Sequence, residues 1–225
     1  MDDWSNTFAT NKKSVNLMIV IVTAVVFFAF EFWEKATTEG EFYGNSTYFL
    51  LKHGALYAPL VLKGEWYRLL TYQFLHGGIQ HLLSNMLLLY FVGNFVESFA
   101  GRLRYVVLYF GSGILAGLGS ILYNGYVLTG RMSFQVFSKA EGFPVCVGAS
   151  GAVFGVVGAT LYLIVIYKGK LQDFSLFRLM IFIILSLYNG FMDTGIDNAA
   201  HVAGLAGGII LSMFLYGRPK YQSPE

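Results

Sequence analysis

The chain has 225 residues, of which 56% are hydrophobic and 12% charged, and its formal net charge is +2. A soluble domain usually carries about 25% charged residues, so the shortage of charge indicates a protein whose main solvent is the lipid bilayer. The net charge is too small, and the charge too thinly spread, to argue for nucleic-acid binding, and the single cysteine excludes a framework of internal disulfides.

Uncharged stretches divide the chain into six candidate spans, each close to the roughly 20 apolar residues that a membrane helix needs. The fifth is the weakest, because it approaches that length only when it is extended back to Phe174. We predict an all-α, polytopic six-helix bundle that forms one domain over residues 1–225, with a short cytoplasmic segment at 1–13. The predicted spans are about 14–33, 78–99, 104–124, 147–167, 174–192 and 198–217.

Lysines and arginines predict the orientation, because cytoplasmic flanks are richer in both. If both termini are cytoplasmic, nine of the 15 basic residues lie in short inner flanks and six lie outside. We therefore expect a multi-pass protein of the cell membrane with both termini in the cytoplasm. The starts of the second, fourth and sixth spans then face the extracellular or periplasmic side.

The second span opens with FLHGGIQHLLSNM, in which His81 and Asn85 are four residues apart. On a helix such residues lie on one face, one above the other. Polar side chains inside a membrane are costly, so each is by default a hypothesis about function. Taken alone, however, either residue is better explained by hydrogen bonding between helices.

The fourth span opens with GASGAVFG, where Ser150 follows Gly148 by two residues and directly precedes Gly151. Phe154 follows the serine by one helical turn. Small residues in membrane helices often serve close packing, and for Gly-Ala-Ser-Gly alone that interpretation is favoured. Cys146, just before this segment, is expected to be a small buried apolar residue rather than a nucleophile.

The sixth span opens with DNAAHVAGLAGG, in which Gly204 and Gly208 lie on or near the face of His201. These glycines would let a neighbouring helix come close. Asp197, four residues before the histidine, could complete a Ser-His-Asp triad, but it also lies where a helix N-cap is expected, and the cap is favoured. The histidines lack the ligand spacing of a metal site, so we expect no metal.

The direction of the spans connects these residues. If all six spans cross, the second, fourth and sixth run the same way, and His81, Ser150 and His201 each lie near the start of one of them. All three therefore reach the same depth. A serine and a histidine at one depth fit a nucleophile and its base. The side chains of His81 and Asn85 and the backbone N–H of Ser150 are suitable donors to an oxyanion.

Together these motifs resemble the rhomboid family of intramembrane serine proteases. The resemblance implies that the protein cleaves transmembrane segments of membrane proteins near the outer face of the bilayer, with Ser150 as the nucleophile, His201 as the general base and no cofactor. The segments that carry it, in the order of the family, are Gly64–Met86, Gly93–Tyr105, Gly148–Gly155 and Asp197–Gly208.

The resemblance assigns further residues. It implies that His81 and Asn85 line the oxyanion hole, and it matches Trp66 and Arg68 to a motif of the family's first loop. Many members have tyrosine where this chain has Phe154. A phenyl ring can still stack on the histidine, but any role of the hydroxyl is lost.

The resemblance also matches Glu97 with Arg102 or Arg104 to a structural polar cluster at the inner end of the second span.

Two other functions stay open at this point. A non-catalytic relative would bind transmembrane helices without cutting them, although the retention of Ser150 and His201 argues against it. A transporter would place its polar residues near the midplane of the membrane. For a protease, we expect the short fifth span to move to admit substrate.

Overall fold

The computed structural model describes residues 14–37, 46–166, 180–181, 183–185 and 196–216. Within these ranges the regular structure is helical, apart from one bridged pair formed by Leu56 and Cys146, and the prediction of an all-α protein is confirmed there. The helices are α1 (Val15–Thr37), α2 (Thr47–Lys52), α3 (Ala58–Leu62), α4 (Arg68–Thr71), α5 (Ile79–Ala100), α6 (Arg102–Thr129), α7 (Phe134–Phe137), α8 (Ser150–Ile166) and α9 (Asn198–Tyr216).

Four of these helices, α1, α5, α6 and α9, are long and apolar enough to cross a membrane. The apolar helix α8 is shorter, with 17 residues, or about 25 Å at 1.5 Å per residue. The five helices correspond to five of the predicted spans. The predicted fifth span, 174–192, and the movement expected of it lie largely outside the described residues, so the count of six spans and the domain boundaries stay predictions.

Three helix ends differ from the predicted spans by three residues or more. α1 continues to Thr37 rather than ending near residue 33. α6 continues past residue 124 to Thr129, because Gly125 packs against the Phe137 ring and the helix stops only at Gly130, whose φ is +65°. α8 begins at Ser150 rather than near residue 147, because Gly148 has a φ of +121° and turns the chain just before the helix.

α8 and α9 pack as parallel neighbours along a line of glycines. Gly151 faces Gly204 and, one turn further along both helices, Gly155 faces Gly208. A Cβ at Gly204 or Gly208 would collide with the facing carbonyl oxygen. The absence of side chains therefore allows the two backbones to touch, as small residues do in membrane bundles.

α6 packs on α9 in the opposite direction. Gly119, toward the end of α6, meets Ala203 near the start of α9, whereas Gly111 meets Leu211 further along α9. The starts of α8 and α9 consequently lie beside the second half of α6. The segment that contains α7 docks over the same end of the bundle, where it shares an apolar cluster with α3 and α4.

Candidate active site

The starts of α5, α8 and α9 meet at one end of the bundle. α8 and α9 are parallel and in contact, and the ring of His81, in the first turn of α5, lies against the turn that leads into α8. The structure thus brings His81, Ser150 and His201 into one neighbourhood, although they come from three separate parts of the sequence.

Ser150 is the first residue of α8, and its side chain is half-buried. The preceding turn is anchored by its backbone. The N–H of Gly148 donates to the Tyr72 carbonyl at 3.0 Å, and the N–H of Ala149 donates to Nε2 of His76 at 3.4 Å. The first N–H groups of a helix have no acceptor within it, so the start of α8 presents backbone donors beside the serine hydroxyl.

His81 and Asn85 border this turn. A Cβ at position 148 would lie 2.7 Å from Cε1 and Nε2 of His81 and 3.7 Å from Nδ2 of Asn85. Glycine at this position is therefore required both by the positive φ and by the close approach of the His81 ring. The Asn85 amide also donates to Nε2 of His76 at 3.1 Å, which fixes the orientation of the amide. The second hydrogen of the amide NH2 is then directed away from His76.

His201 lies in the first turn of α9 and is 7% exposed. Its ring stacks on Phe154, with the ring centroids 4.3 Å apart and the planes inclined by 10°. Phe154 lies one turn beyond Ser150, so the stacking joins the histidine to the helix that carries the serine. Nδ1 of His201 is buried and has no hydrogen-bond partner among the described residues.

Ser150 and His201 are close neighbours rather than hydrogen-bonded partners within the described structure. Their proximity follows from the ring stacking at Phe154 and from Gly151, where a Cβ would lie 3.9 Å from the Ala200 carbonyl oxygen. Catalytic hydrogen bonds are often long in a resting enzyme and tighten when substrate binds.

His76 is a contributor to this region that the sequence did not indicate. Its side chain is fully buried, and its Nε2 accepts from both Asn85 and the Ala149 N–H. Accepting two donors requires that Nε2 carry no proton, so the ring is neutral with its proton on Nδ1. Burial, and next the nearby His81 ring, lower the pKa of His76 to about 3, in agreement with a neutral ring. The one signal in the sequence was its distance of five residues from His81.

Asp197 caps α9, as the sequence predicted. Its Oδ1 accepts from the N–H of Ala200 at 3.0 Å, and its carbonyl accepts from the N–H of His201 at 3.2 Å. Its Oδ2 accepts from the Ser120 hydroxyl and from the thiol of Cys146 at 3.2 Å. Because both carboxylate oxygens are engaged in this way, the structure gives no support to Asp197 as the third member of a triad.

The expectation that Cys146 is a small apolar residue was wrong, because its thiol donates to the Asp197 carboxylate. Burial, and next that carboxylate, raise the pKa of the Cys146 thiol well above its ordinary value. A thiol that stays protonated is a poor nucleophile, which agrees with the expectation that Cys146 does not perform the chemistry.

Arg68 and Trp66 lie in the first connection, which is the segment between α1 and α5. Arg68 is buried and Trp66 is exposed. Arg68 is almost fully buried, donates to the carbonyls of Leu51 and Ala55 at 2.8 Å, and forms an ion pair with Glu65 at 2.7 Å. It therefore fastens α2 to α4. Trp66 is 55% exposed, as an aromatic residue at a membrane interface would be.

No group of three or more histidine, cysteine, aspartate or glutamate side chains is arranged to hold a metal ion in the described part of the chain. The functional side chains found at this end are a serine, histidines and an asparagine beside free helix N–H groups. This set of groups suits acyl transfer by a nucleophile, a base and oxyanion donors.

Comparisons with known proteins identify a family model and several relatives that match the chain. The sequence model of the family described as Rhomboid domain matches residues 63–218. Rhomboid protease GluP of Bacillus subtilis is 31% identical over 213 residues, which cover 95% of this chain and 37% of that protein. RHOMBOID-like protein 5 of Arabidopsis thaliana is 36% identical over 182 residues, which cover 79% of this chain and 53% of that protein.

Rhomboid protease AarA of Providencia stuartii is 32% identical over 174 residues, which cover 73% of this chain and 61% of that protein. The chain thus spans 37% of the length of the Bacillus subtilis relative and 53% of the length of the Arabidopsis thaliana relative.

Proposed function

Since the chain belongs to the rhomboid family, we propose that it is an intramembrane serine endopeptidase in which Ser150 is the nucleophile and His201 the general base. The observation that carries this proposal is the stacking of His201 on Phe154, one turn beyond Ser150, across two helices in glycine contact. Two relatives that are named rhomboid proteases support it.

The reaction begins with His201 taking the proton of the Ser150 hydroxyl while the serine oxygen attacks the substrate carbonyl carbon. The tetrahedral intermediate collapses when the C–N bond breaks and His201 gives its proton to the leaving nitrogen. Water then attacks the acyl-enzyme with the same base, and the second product leaves with Ser150 restored. The stacking on Phe154 holds the imidazole in plane through these transfers.

The oxyanion of the intermediate needs donors that are already oriented. The N–H of Ser150 at the free start of α8, the second hydrogen of the Asn85 amide and a ring N–H of His81 serve this purpose. The helix dipole of α8 adds partial positive charge at the same point. His76 supports the arrangement from behind, because it holds both Asn85 and the N–H of Ala149.

The depth of the site along α6 supports a reaction inside the bilayer. Gly151 lies beside Ala116, about 11 residues beyond Tyr105, or roughly 16 Å along the helix axis. If Arg102 and Arg104 lie among the lipid headgroups, the serine lies within the roughly 30 Å hydrocarbon core. Peptide bonds at this depth belong to transmembrane segments, so we propose membrane proteins as substrates and water entry from the outer face.

The proposal is tested by co-expressing the protein with a panel of single-span membrane proteins and by labelling it with a fluorophosphonate. We expect the wild type to cleave at least one substrate and to be labelled. Ser150→Ala should lose both, and His201→Ala should lose both without unfolding. The matched control is Ser212→Ala, which removes a buried hydroxyl whose partner among the described residues is the Gly208 carbonyl of the same helix, at 2.7 Å.

Each outcome separates two functions. Labelling that disappears in both site variants and persists in Ser212→Ala supports the protease. A folded wild type that takes no label and cuts none of the panel, but captures transmembrane helices, would point to the non-catalytic relative instead.

A further inference from the structure

We propose that Asp197 is a positioning residue for the reaction, because its carboxylate ties the start of the histidine helix to α6 and to the segment that leads into Ser150. The inference rests on the proposed function. It assigns to Asp197 neither the triad role nor capping alone, but the alignment of His201 with Ser150.

The two oxygens of the carboxylate do different things. Oδ1 accepts from the N–H of Ala200, which is the ordinary contact of a helix cap. Oδ2 accepts from the Ser120 hydroxyl and from the Cys146 thiol, which belong to two other parts of the chain. A cap needs only the first oxygen, so the second set of contacts is additional to capping.

The contacts of Oδ2 lie close to both reacting residues. Cys146 precedes Ser150 by four residues, and Asp197 precedes His201 by the same distance. The backbone of Cys146 is itself fixed, because its N–H and carbonyl exchange hydrogen bonds of 2.9 Å with Leu56 in the first connection. The thiol therefore connects an anchored strand-like segment to the start of α9.

Ser120 supplies the third anchor. It is 2% exposed on α6, next to Gly119, where a Cβ would collide with the Cβ of Ala203 on α9. The amide of Asn124, one turn further, donates to the Ser120 hydroxyl at 3.2 Å. The hydroxyl proton is thereby directed toward Asp197, and the start of α9 is held against a long and rigid helix.

The alignment matters because the glycine line between α8 and α9 fixes their separation but not their sliding. At the facing glycines no side chain interlocks the two helices along their axis. A displacement of about 1 Å between a nucleophile and its base costs up to roughly 100-fold in rate. The two contacts of Oδ2, with Ser120 and Cys146, act against that displacement at the end where the proposed chemistry occurs.

The test uses Asp197→Asn, which keeps an oxygen for the cap but presents an NH2 group that cannot accept from Ser120 or Cys146. The double variant S120A/C146A removes both donors and leaves the carboxylate and the cap in place. For both we expect kcat to fall roughly 10-fold with KM nearly unchanged. The triple variant should be no worse than Asp197→Asn, because all three changes remove the same link. Ser212→Ala is the control and should keep the wild-type kcat.

Active sites are counted by the end point of fluorophosphonate labelling, so a loss of folded protein does not enter kcat. If Asp197→Asn and the double variant keep the wild-type kcat while only Asp197→Ala loses it, capping is the whole role and the inference is overturned. A fall in kcat that is additive among the three changes also overturns it.

A second measurement is independent of activity. Cys146 is the single cysteine of the chain, so its alkylation by N-ethylmaleimide can be followed on the folded protein by mass alone. We expect Asp197→Asn to be alkylated several-fold faster than the wild type, since the thiol loses its acceptor. Equal alkylation rates in the wild type and Asp197→Asn would contradict the link between Asp197 and Cys146, even if the protein is a protease. Faster alkylation in a protein that takes no fluorophosphonate would leave the link in place and refute the proposed function.

Discussion

α5 carries a polar cluster at each of its ends, and the two clusters are built in opposite ways. At its C-terminal end, which the proposed orientation places on the inner side of the membrane, the Glu97 carboxylate accepts from the Ser14 hydroxyl at 2.6 Å. It also accepts from the backbone N–H groups of Val15 and Asn16 at 2.8 and 2.9 Å, and so caps the start of α1. We call this the inner cluster; its side chains are those of Ser14, Asn16, Asn94, Glu97 and Tyr105.

Asn16 completes the inner cluster. Its amide donates to the Leu89 carbonyl at 3.0 Å, in the π-helical turn Leu89–Gly93 of α5, and its Oδ1 accepts from the Tyr105 hydroxyl at 2.6 Å. A Cβ at Gly93 would collide with this side chain, so the glycine makes room for it. Each side chain of the inner cluster has a hydrogen-bond partner.

The candidate active site, at the other end, leaves a buried polar atom unmatched. Nδ1 of His201 has no partner within the described part of the chain, and the Ser150 hydroxyl lies at an open helix start. A buried group without a partner costs free energy, whereas a matched group contributes modestly to stability. The inner cluster therefore stabilises the fold, whereas under the proposed function the outer residues bind the reacting groups.

The largest expected effect is on activity at the outer end. Replacing His201 with leucine should reduce cleavage by at least roughly 1,000-fold, because in the proposed mechanism Ser150 then loses its base. The melting temperature in detergent should stay the same or rise, since a buried unmatched nitrogen disappears and an apolar contact with Phe154 remains. The paired measurement is substrate cleavage and thermal unfolding of the same preparation.

A cooperative loss of several degrees in that variant would contradict the comparison, because it would make His201 a stabilising residue. Retention of a tenth or more of the wild-type activity would contradict its role as base.

The next effect is on stability at the inner end. Glu97→Gln places an NH2 group against N–H and O–H donors and should lower the free energy of unfolding by about 3 kcal/mol. Activity per folded molecule should be unchanged. Denaturant unfolding of the wild type and the variant measures the first quantity, and fluorophosphonate-titrated cleavage measures the second. Glu141→Gln, at an exposed carboxylate, is the matched control and should cost little.

The sequence indicated which outer residues to propose more directly than it indicated the contacts around them. Three polar residues lie near the starts of alternate spans. Alternate spans run in the same direction if every span crosses the membrane, so the three residues were expected at a common depth. The hypothesis needed no side-chain detail. Ser150 and His201 could therefore be proposed as nucleophile and base from the order of the spans and from the family resemblance.

The supporting contacts could not be predicted in the same way. His76 accepts from the N–H of Ala149 only because the turn at Gly148 brings that backbone across, and no pattern in the sequence encodes such a contact. Cys146 likewise meets Asp197 through a tertiary arrangement of two loops. For Glu97 the sequence indicated a polar cluster but suggested arginines as partners, whereas its hydrogen bonds go to the start of α1.

A smaller and mixed effect should follow at the line of glycines, which serves both fold and site. Gly204→Ala introduces a methyl group against the Gly151 carbonyl and should cost about 2 kcal/mol of stability and reduce cleavage, because it pushes the two helices apart. Gly207→Ala is the matched control on the same helix. Its methyl group would meet the Leu115 side chain at 2.9 Å, and the end of that side chain can move. Equal behaviour of the two variants would show that the line of glycines does not position the site.

The smallest effect at neutral pH is expected at His76, which is a matched group within the outer end. Its pKa of about 3 lies below that of an unfolded histidine, near 6.5. Between these values the unfolded chain binds a proton that the folded chain does not, so the wild type loses stability as the pH falls through this range. At pH 5 the loss of stability amounts to about 2 kcal/mol.

The variant His76→Gln tests this expectation, because glutamine keeps an acceptor for Asn85 and does not titrate. It should match the wild type at pH 7.5 and be the more stable protein at pH 5, as measured by unfolding at both pH values. If both proteins lose stability equally on acidification, the acid-sensitive group lies elsewhere. His76 would then be a hydrogen-bonded structural residue, as the members of the inner cluster are.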